Sequence, residues 1–262
     1  MLFRNLLSAL LDLLAIASAL SLPLYLWQVW YPSSDWAVLA LVPLFWMMVQ
    51  GNYKVIILRR RAALVCMLRP GSILTRILKG RIIAACSACL ITGVTIPLLA
   101  YKALTADGAE IALLALLLII AVLIIRLLSS FSKVHFNDSF LPSVVSRCTT
   151  VLSGLLFLPI YYWFVHDVAR IPGYMRSLRF PEAISMALDS LPVRDGWMAE
   201  TLAAFHALEN AKLWAVVNLG NDSVIFLIYA IYSTLICFFF ASAIVSVASF
   251  YGLMVKGNLY GN

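Results

Sequence analysis

Charge is what this sequence has least of. Asp, Glu, Lys and Arg together make up 12% of its 262 residues, about half the share of a soluble domain. A surface that poor in charge cannot keep a water-soluble fold of this size in solution without large exposed apolar patches. Glycine (12) and cysteine (5) are also scarce and show no repeat, which excludes fibrous chains and disulfide scaffolds. Disorder is excluded too, since it requires low hydrophobicity and dense charge. There is no low-complexity segment and no internal repeat of the kind that marks inverted-repeat transporters.

Apolar residues are abundant instead, at 63%, with a mean hydropathy of +0.97. Their runs are continuous, without the alternation of lipid-facing barrel strands. The pattern predicts an all-α polytopic membrane protein of one domain, residues 1–262, with six transmembrane helices. A crossing needs about 20 helical residues. Spans are expected near Leu7–Trp30, Trp36–Leu58, Ile82–Leu104, Ile111–Leu128, Thr149–Val165 and Val224–Val255. The fifth is short and holds Pro159, and the sixth is long enough to tilt or to continue beyond the bilayer. The N-terminal run extends through Pro23 to Trp30, longer than a signal-peptide core. It reads as a retained first span anchored by Trp27, Trp30 and Tyr31.

Orientation follows from the cations. The segment between spans two and three carries Lys54, Arg59, Arg60, Arg61, Arg69, Arg76, Lys79 and Arg81 and no acid. Arg4, Arg126, Lys133, Arg147 and Lys256 fall on the same side. Every acid except Asp12 and Asp138 falls on the other. By the positive-inside rule both termini are cytoplasmic, in the plasma (inner) membrane of a cell. This topology accounts for the net charge of +7 without a nucleic acid, and the inner cations rest on anionic membrane lipid.

Two segments lie outside the spans. After Pro70-Gly71, Ile73, Leu74, Ile77 and Leu78 share a helical face opposite Ser72, Thr75, Arg76 and Lys79, which predicts a short interfacial amphipathic helix. Arg59, Arg60, Arg61, Arg69, Arg76, Lys79 and Arg81 are its lipid- or partner-docking residues. The extracytoplasmic segment 166–223 is broken by Pro172-Gly173, Pro181, Pro192 and Asp195-Gly196. It predicts helices over Pro181–Leu191 and Trp197–Asn218. On the second, Met198, Leu202, Phe205 and Leu208 form the packing stripe, with Glu200, His206, Glu209 and Asn210 turned away from it.

Chemical motifs are sparse. Cys86 and Cys89 form a CxxC pair inside the third span, where apolar burial suppresses thiol reactivity and close helix packing is the better reading. His135/Asp138, His166/Asp167 and His206/Glu209 are pairs too common to define a metal site. No nucleophile elbow or phosphate loop appears. Asp12 sits a turn or two inside the first span, within reach of an inner arginine, while Lys54, Lys102 and Arg126 are terminal. On span six, Ala241, Ser242, Ser246 and Ser249 form a small-residue face suited to helix packing or oligomerisation.

These readings predict no cofactor, no metal and no catalytic residue. They point to a non-enzymatic membrane subunit working through assembly with copies of itself or other proteins, as an oligomeric pore, a transport component or the membrane anchor of a larger machine. The alternative is the permease subunit of an ATP-driven exporter, which the chain resembles in gross layout though in no motif. A membrane-embedded thiol or lipid enzyme is the third.

Overall fold

The computed structural model describes residues 2–67, 80–136, 140–164, 172–191, 195–219 and 223–252. Among them there is no strand, and six helices are long and apolar enough to cross a membrane. These are α1 (Leu2–Trp30), α2 (Val42–Met67), α3 (Arg81–Thr105), α4 (Gly108–Ser132), α5 (Leu141–Trp163) and, after three shorter helices, α9 (Ser223–Phe250). A 3-10 segment, Asp35–Leu41, leads into α2. The three between are α6 (Tyr174–Ser177), α7 (Phe180–Leu188) and α8 (Trp197–Leu219). They cap one end of the bundle. Arg59, Arg81 and Arg147 are exposed at the other, basic end.

Hydroxyl residues inside the apolar runs do not interrupt the helices, because their side chains donate to the carbonyl one turn back. Ser87 to Ile83, Thr95 to Ile91, Ser153 to Thr149 and Thr234 to Ala230 are examples, at 2.5–2.8 Å. The same device lets α5 begin eight residues before the predicted Thr149, at Leu141. Pro142 occupies its first turn, where a missing N–H costs nothing. Span five is therefore as long as its neighbours.

Helix α9 is the hub. It contacts all five other long helices, most extensively α5 and α2. Ala241, Ser246 and Ser249 are buried within the chain and Ser242 is half-buried, so this face packs internally. A Cβ built on Gly51 of α2 would overlap the Ser246 carbonyl oxygen. The two backbones thus meet where α2 has no side chain. Beside that contact, the Ser246 hydroxyl lies 2.8 Å from Asn52 Oδ1 and 2.6 Å from the Ser242 carbonyl. On the α5 side, Gly154 sits against the Phe238 ring. Lipid supplies no hydrophobic drive between helices, so close contacts of this kind and hydroxyl bonds are what hold spans together.

Several expectations need correction. Trp27 is not an interfacial anchor: it is fully buried, and its indole N–H donates to the Ala100 carbonyl on α3 at 3.0 Å. Tyr31 is buried beside it, whereas Trp30 is exposed. Cys86 and Cys89 do not serve close packing. Both are free and exposed, because α3 buries its Ala84, Ala88, Thr92 and Thr95 face. The predicted amphipathic helix, with Arg69, Arg76 and Lys79, lies outside the described residues. So do Asp138, His166 and Asp167. Of the other basic residues singled out there, Arg60 donates to the Gly80 carbonyl at 3.4 Å.

The Gly51 contact carries a test. Gly51→Ala should lower the thermal stability of the detergent-solubilised protein by about 1–3 kcal/mol through overpacking. Gly93→Ala, where nothing lies within 4 Å of the added Cβ, should leave it unchanged or raise it by about 0.5–1 kcal/mol. Equal effects of the two would show that α2 and α9 do not meet closely at Gly51.

Candidate functional site

The densest polar cluster lies where the cap meets the spans. Its scaffold is local. Helices α3 and α4 are joined through Ala106 and Asp107, and Asp107 caps α4 by accepting from the Glu110 N–H at 2.7 Å. A carboxylate in the first turn of a helix suits the macrodipole. Here it also puts Glu110 opposite the last turn of α3, where Lys102 Nζ lies 3.1 Å from Glu110 Oε1. A second carboxylate comes from the cap, with Glu209 Oε1 2.7 Å from the same Nζ. The Lys102 side chain is only 7% exposed, and those of Glu110 and Glu209 are 23% and 18% exposed. Lys102 is therefore terminal in its helix, as expected, but buried.

Helix α8 reaches this position because it is held along its length. Its start is set by Gly196, whose φ of +127° is open to glycine and whose missing Cβ makes room for the Asp35 carboxylate. Met198 and Leu202 bury against the bundle. Toward its other end, Trp214 Nε1 donates to the Leu178 carbonyl at 3.1 Å, and Asn218 Nδ2 to the Met175 carbonyl at 2.8 Å. Met175, Ala183 and Ala187 form a small core beneath α8 with Leu213 and Trp214. The first half of the helix follows expectation, with Met198 and Leu202 buried and Glu200 exposed, but farther along His206 and Glu209 are half-buried, Asn210 is buried and Leu208 is exposed. Ion pairing outweighs the apolar stripe here, because Lys102 offers Glu209 a partner that water would otherwise have to supply.

His206 extends the network. Its Nε2 lies 3.1 Å from the Ala187 carbonyl, which can only accept, so this nitrogen carries the hydrogen. Nδ1 then accepts from the Tyr101 hydroxyl at 2.9 Å. That hydroxyl also lies within hydrogen-bonding reach of Glu209, so one hydrogen serves two acceptors. Lys212, the next turn of α8, stands 4.0 Å over the Tyr232 ring of α9. Under the cap, Tyr31, Tyr101, Thr105, Ser190 and His206 line a cavity of about 220 Å³.

Burial lowers the His206 pKa below its ordinary 6.5, against the pull of the Ala187 carbonyl and Glu209. Burial alone would raise Glu209. The charges of Lys102 and Lys212, with bonds from Lys102 and Tyr101, overcome it and hold the carboxyl below the usual range. Lys212 is pushed down to about 8 by burial, only partly opposed by Glu209. Chemically, the arrangement can hold the cap against the spans through buried ion pairs and the Tyr101–His206 hydrogen bond. Among the described residues, no three His, Cys, Asp or Glu side chains are grouped to hold a metal.

The sequence reading found the His206/Glu209 pair and missed its partners. Lys102 and Glu110, eight residues apart across a predicted two-helix turn, were the available signal. Comparison with known proteins adds nothing to this picture: no family model, curated protein or solved structure matches the chain.

Two outcomes test the site. Glu209→Gln should release the cap at a cost of about 3–5 kcal/mol, since it leaves buried Lys102 short of a counter-charge. Hydrogen exchange of the α8 amides should rise accordingly, and unchanged protection would refute the latch. The pH dependence follows from the shifts. Undocked His206 binds protons more readily than docked His206, so docking weakens as pH falls below 6.5. Lys212 works in the alkaline range: its undocked form stays protonated above pH 8, so docking strengthens from about 8 toward 10.5. His206→Gln should flatten the acid limb, and Lys212→Met the alkaline one, in thermal unfolding followed across pH.

Proposed function

We propose that the chain is a non-enzymatic multi-pass subunit of the plasma (inner) membrane that works through assembly, with both termini cytoplasmic. In this reading the basic end faces the cytoplasm and docks a partner or anionic lipid, and the latched cap faces outward. The observation that supports it best is the asymmetry of the bundle. Arg59, Arg81 and Arg147 are exposed at one end, whereas every exposed carboxylate among the described residues (Asp107, Glu182, Asp189, Asp195 and Glu200) lies at the other, with Arg176 and Arg179 among them. Exposed cations at the end of a span match the inner-loop bias, and they are open to a cytoplasmic partner.

The central place of α9 bears on the form this takes. It lies among the other five long helices and fills the position that a passage through a single chain would need. A pore would then require several copies around a shared axis. A membrane anchor, or the permease subunit of an ATP-driven exporter, needs no such axis.

Reporter fusions test the orientation. Fusions at both termini should be active with a cytoplasm-dependent reporter and silent with one that needs export; the reverse pattern would overturn the topology. For assembly, the protein should leave its native membrane with a stoichiometric partner or as a homo-oligomer by native mass spectrometry. Arg59→Glu with Arg81→Glu should lose a cytoplasmic partner while remaining inserted. An inserted, active protein that is monomeric and carries nothing but lipid would refute the assembly reading.

A further inference from the structure

A lateral groove of about 450 Å³ runs along the capped half of the bundle, between α1, α3, α4 and α9. It has a structural origin. At the basic end α1 and α4 are pinned together, with Arg126 Nη2 2.6 Å from Asp12 Oδ2 and 3.3 Å from the Ser8 hydroxyl. Beyond the pin the two helices part, and between Ala17 and Gln28 on α1 and Leu118 and Ile111 on α4 nothing fills the gap but the floor formed by Phe240, Ala243 and Ile244. The walls are almost wholly apolar. Polar groups gather at the capped end, where Gln28 and Lys102 line the mouth.

We propose that this groove binds one acyl chain of a membrane phospholipid, with the lipid's head at the Lys102 end. The inference rests on the membrane reading above and adds a ligand to it. A groove with almost wholly apolar walls, open between α1 and α4, suits a slender, unbranched hydrocarbon. The polarity runs the same way along the groove as along a lipid, with hydrocarbon walls deep in the span and hydrogen-bonding groups at its end. Two of the three N–H bonds of Lys102 go to Glu110 and Glu209, and the third is assigned to an ester or phosphate oxygen of the head. Lys102 and Lys212 are balanced by Glu110 and Glu209, so the site favours a zwitterionic head over an anionic one.

The test uses the full chain in phosphatidylcholine vesicles doped with a phosphatidylcholine that carries a diazirine midway along one acyl chain. After photolysis, adducts should concentrate on the α1 and α4 peptides that wall the groove. Ala115→Trp, which fills it from α4, should cut those adducts about tenfold. Leu155→Trp, on an exposed face of α5, should leave them unchanged. If Ala115→Trp does not purify as a monodisperse protein, Ala115→Leu adds less volume at the same place and should reduce the adducts in the same direction. Adducts spread evenly over all exposed helices, or groove adducts indifferent to both Ala115 variants, would overturn the proposal. Failure of the membrane reading would look different: the protein would wash off the vesicles at alkaline pH before any labelling.

Discussion

A lysine ammonium in the last turn of an apolar helix, almost sealed from solvent, is the constraint that the capped end answers to. Leaving such a charge unpaired costs several kcal/mol. The chain meets that cost twice, from Glu110 across a short turn and from Glu209 on a helix far along the sequence. The second partner has the larger structural effect. To bring Glu209 to Lys102, α8 must lie against the bundle with a polar face inward, and that in turn covers His206, seats it on Tyr101 and encloses the small cavity beneath. The cap is thus held by this ion-pair network together with the apolar contacts of Met198 and Leu202 against the bundle.

The rest of the bundle is organised by a contact of the opposite kind. Around α9, stability comes from removing bulk: Gly51 lets α2 meet the backbone at Ser246, and Gly154 makes room on α5 for the Phe238 ring. Ser246 and Asn52 add hydrogen bonding at the same crossing. The two modes divide the molecule, with dense uncharged packing in the middle and ion pairs toward the ends.

That division also explains what could be read in advance. Six spans, the two cap helices with boundaries near Pro181 and Trp197, and the small-residue face of α9 follow from run length, turn residues and spacing, all of which are local signals. What escaped reading depends on contacts between distant segments. Trp27 looks like any interfacial tryptophan until Ala100 offers it a carbonyl. The stripe of α8 looks apolar by count, and only the position of Lys102 shows why Glu209 and not Leu208 faces inward. The start of α5 is hidden in the sequence because Ser143, Ser146 and Arg147 are polar, although the helix runs through them and Thr150 bonds back to the Ser146 carbonyl. Cys86 and Cys89 drew notice as a motif, yet they lie on the exposed face of α3.

The short link between α3 and α4 has a consequence for biogenesis. A chain made from its N-terminus completes α3 and α4 well before α8 exists. Lys102 therefore meets Glu110 first, across the link between the two helices. That pair forms without waiting for the carboxylate of Glu209. The cap arrives later, onto helices already paired, and the third charge it brings closes the network around Lys102.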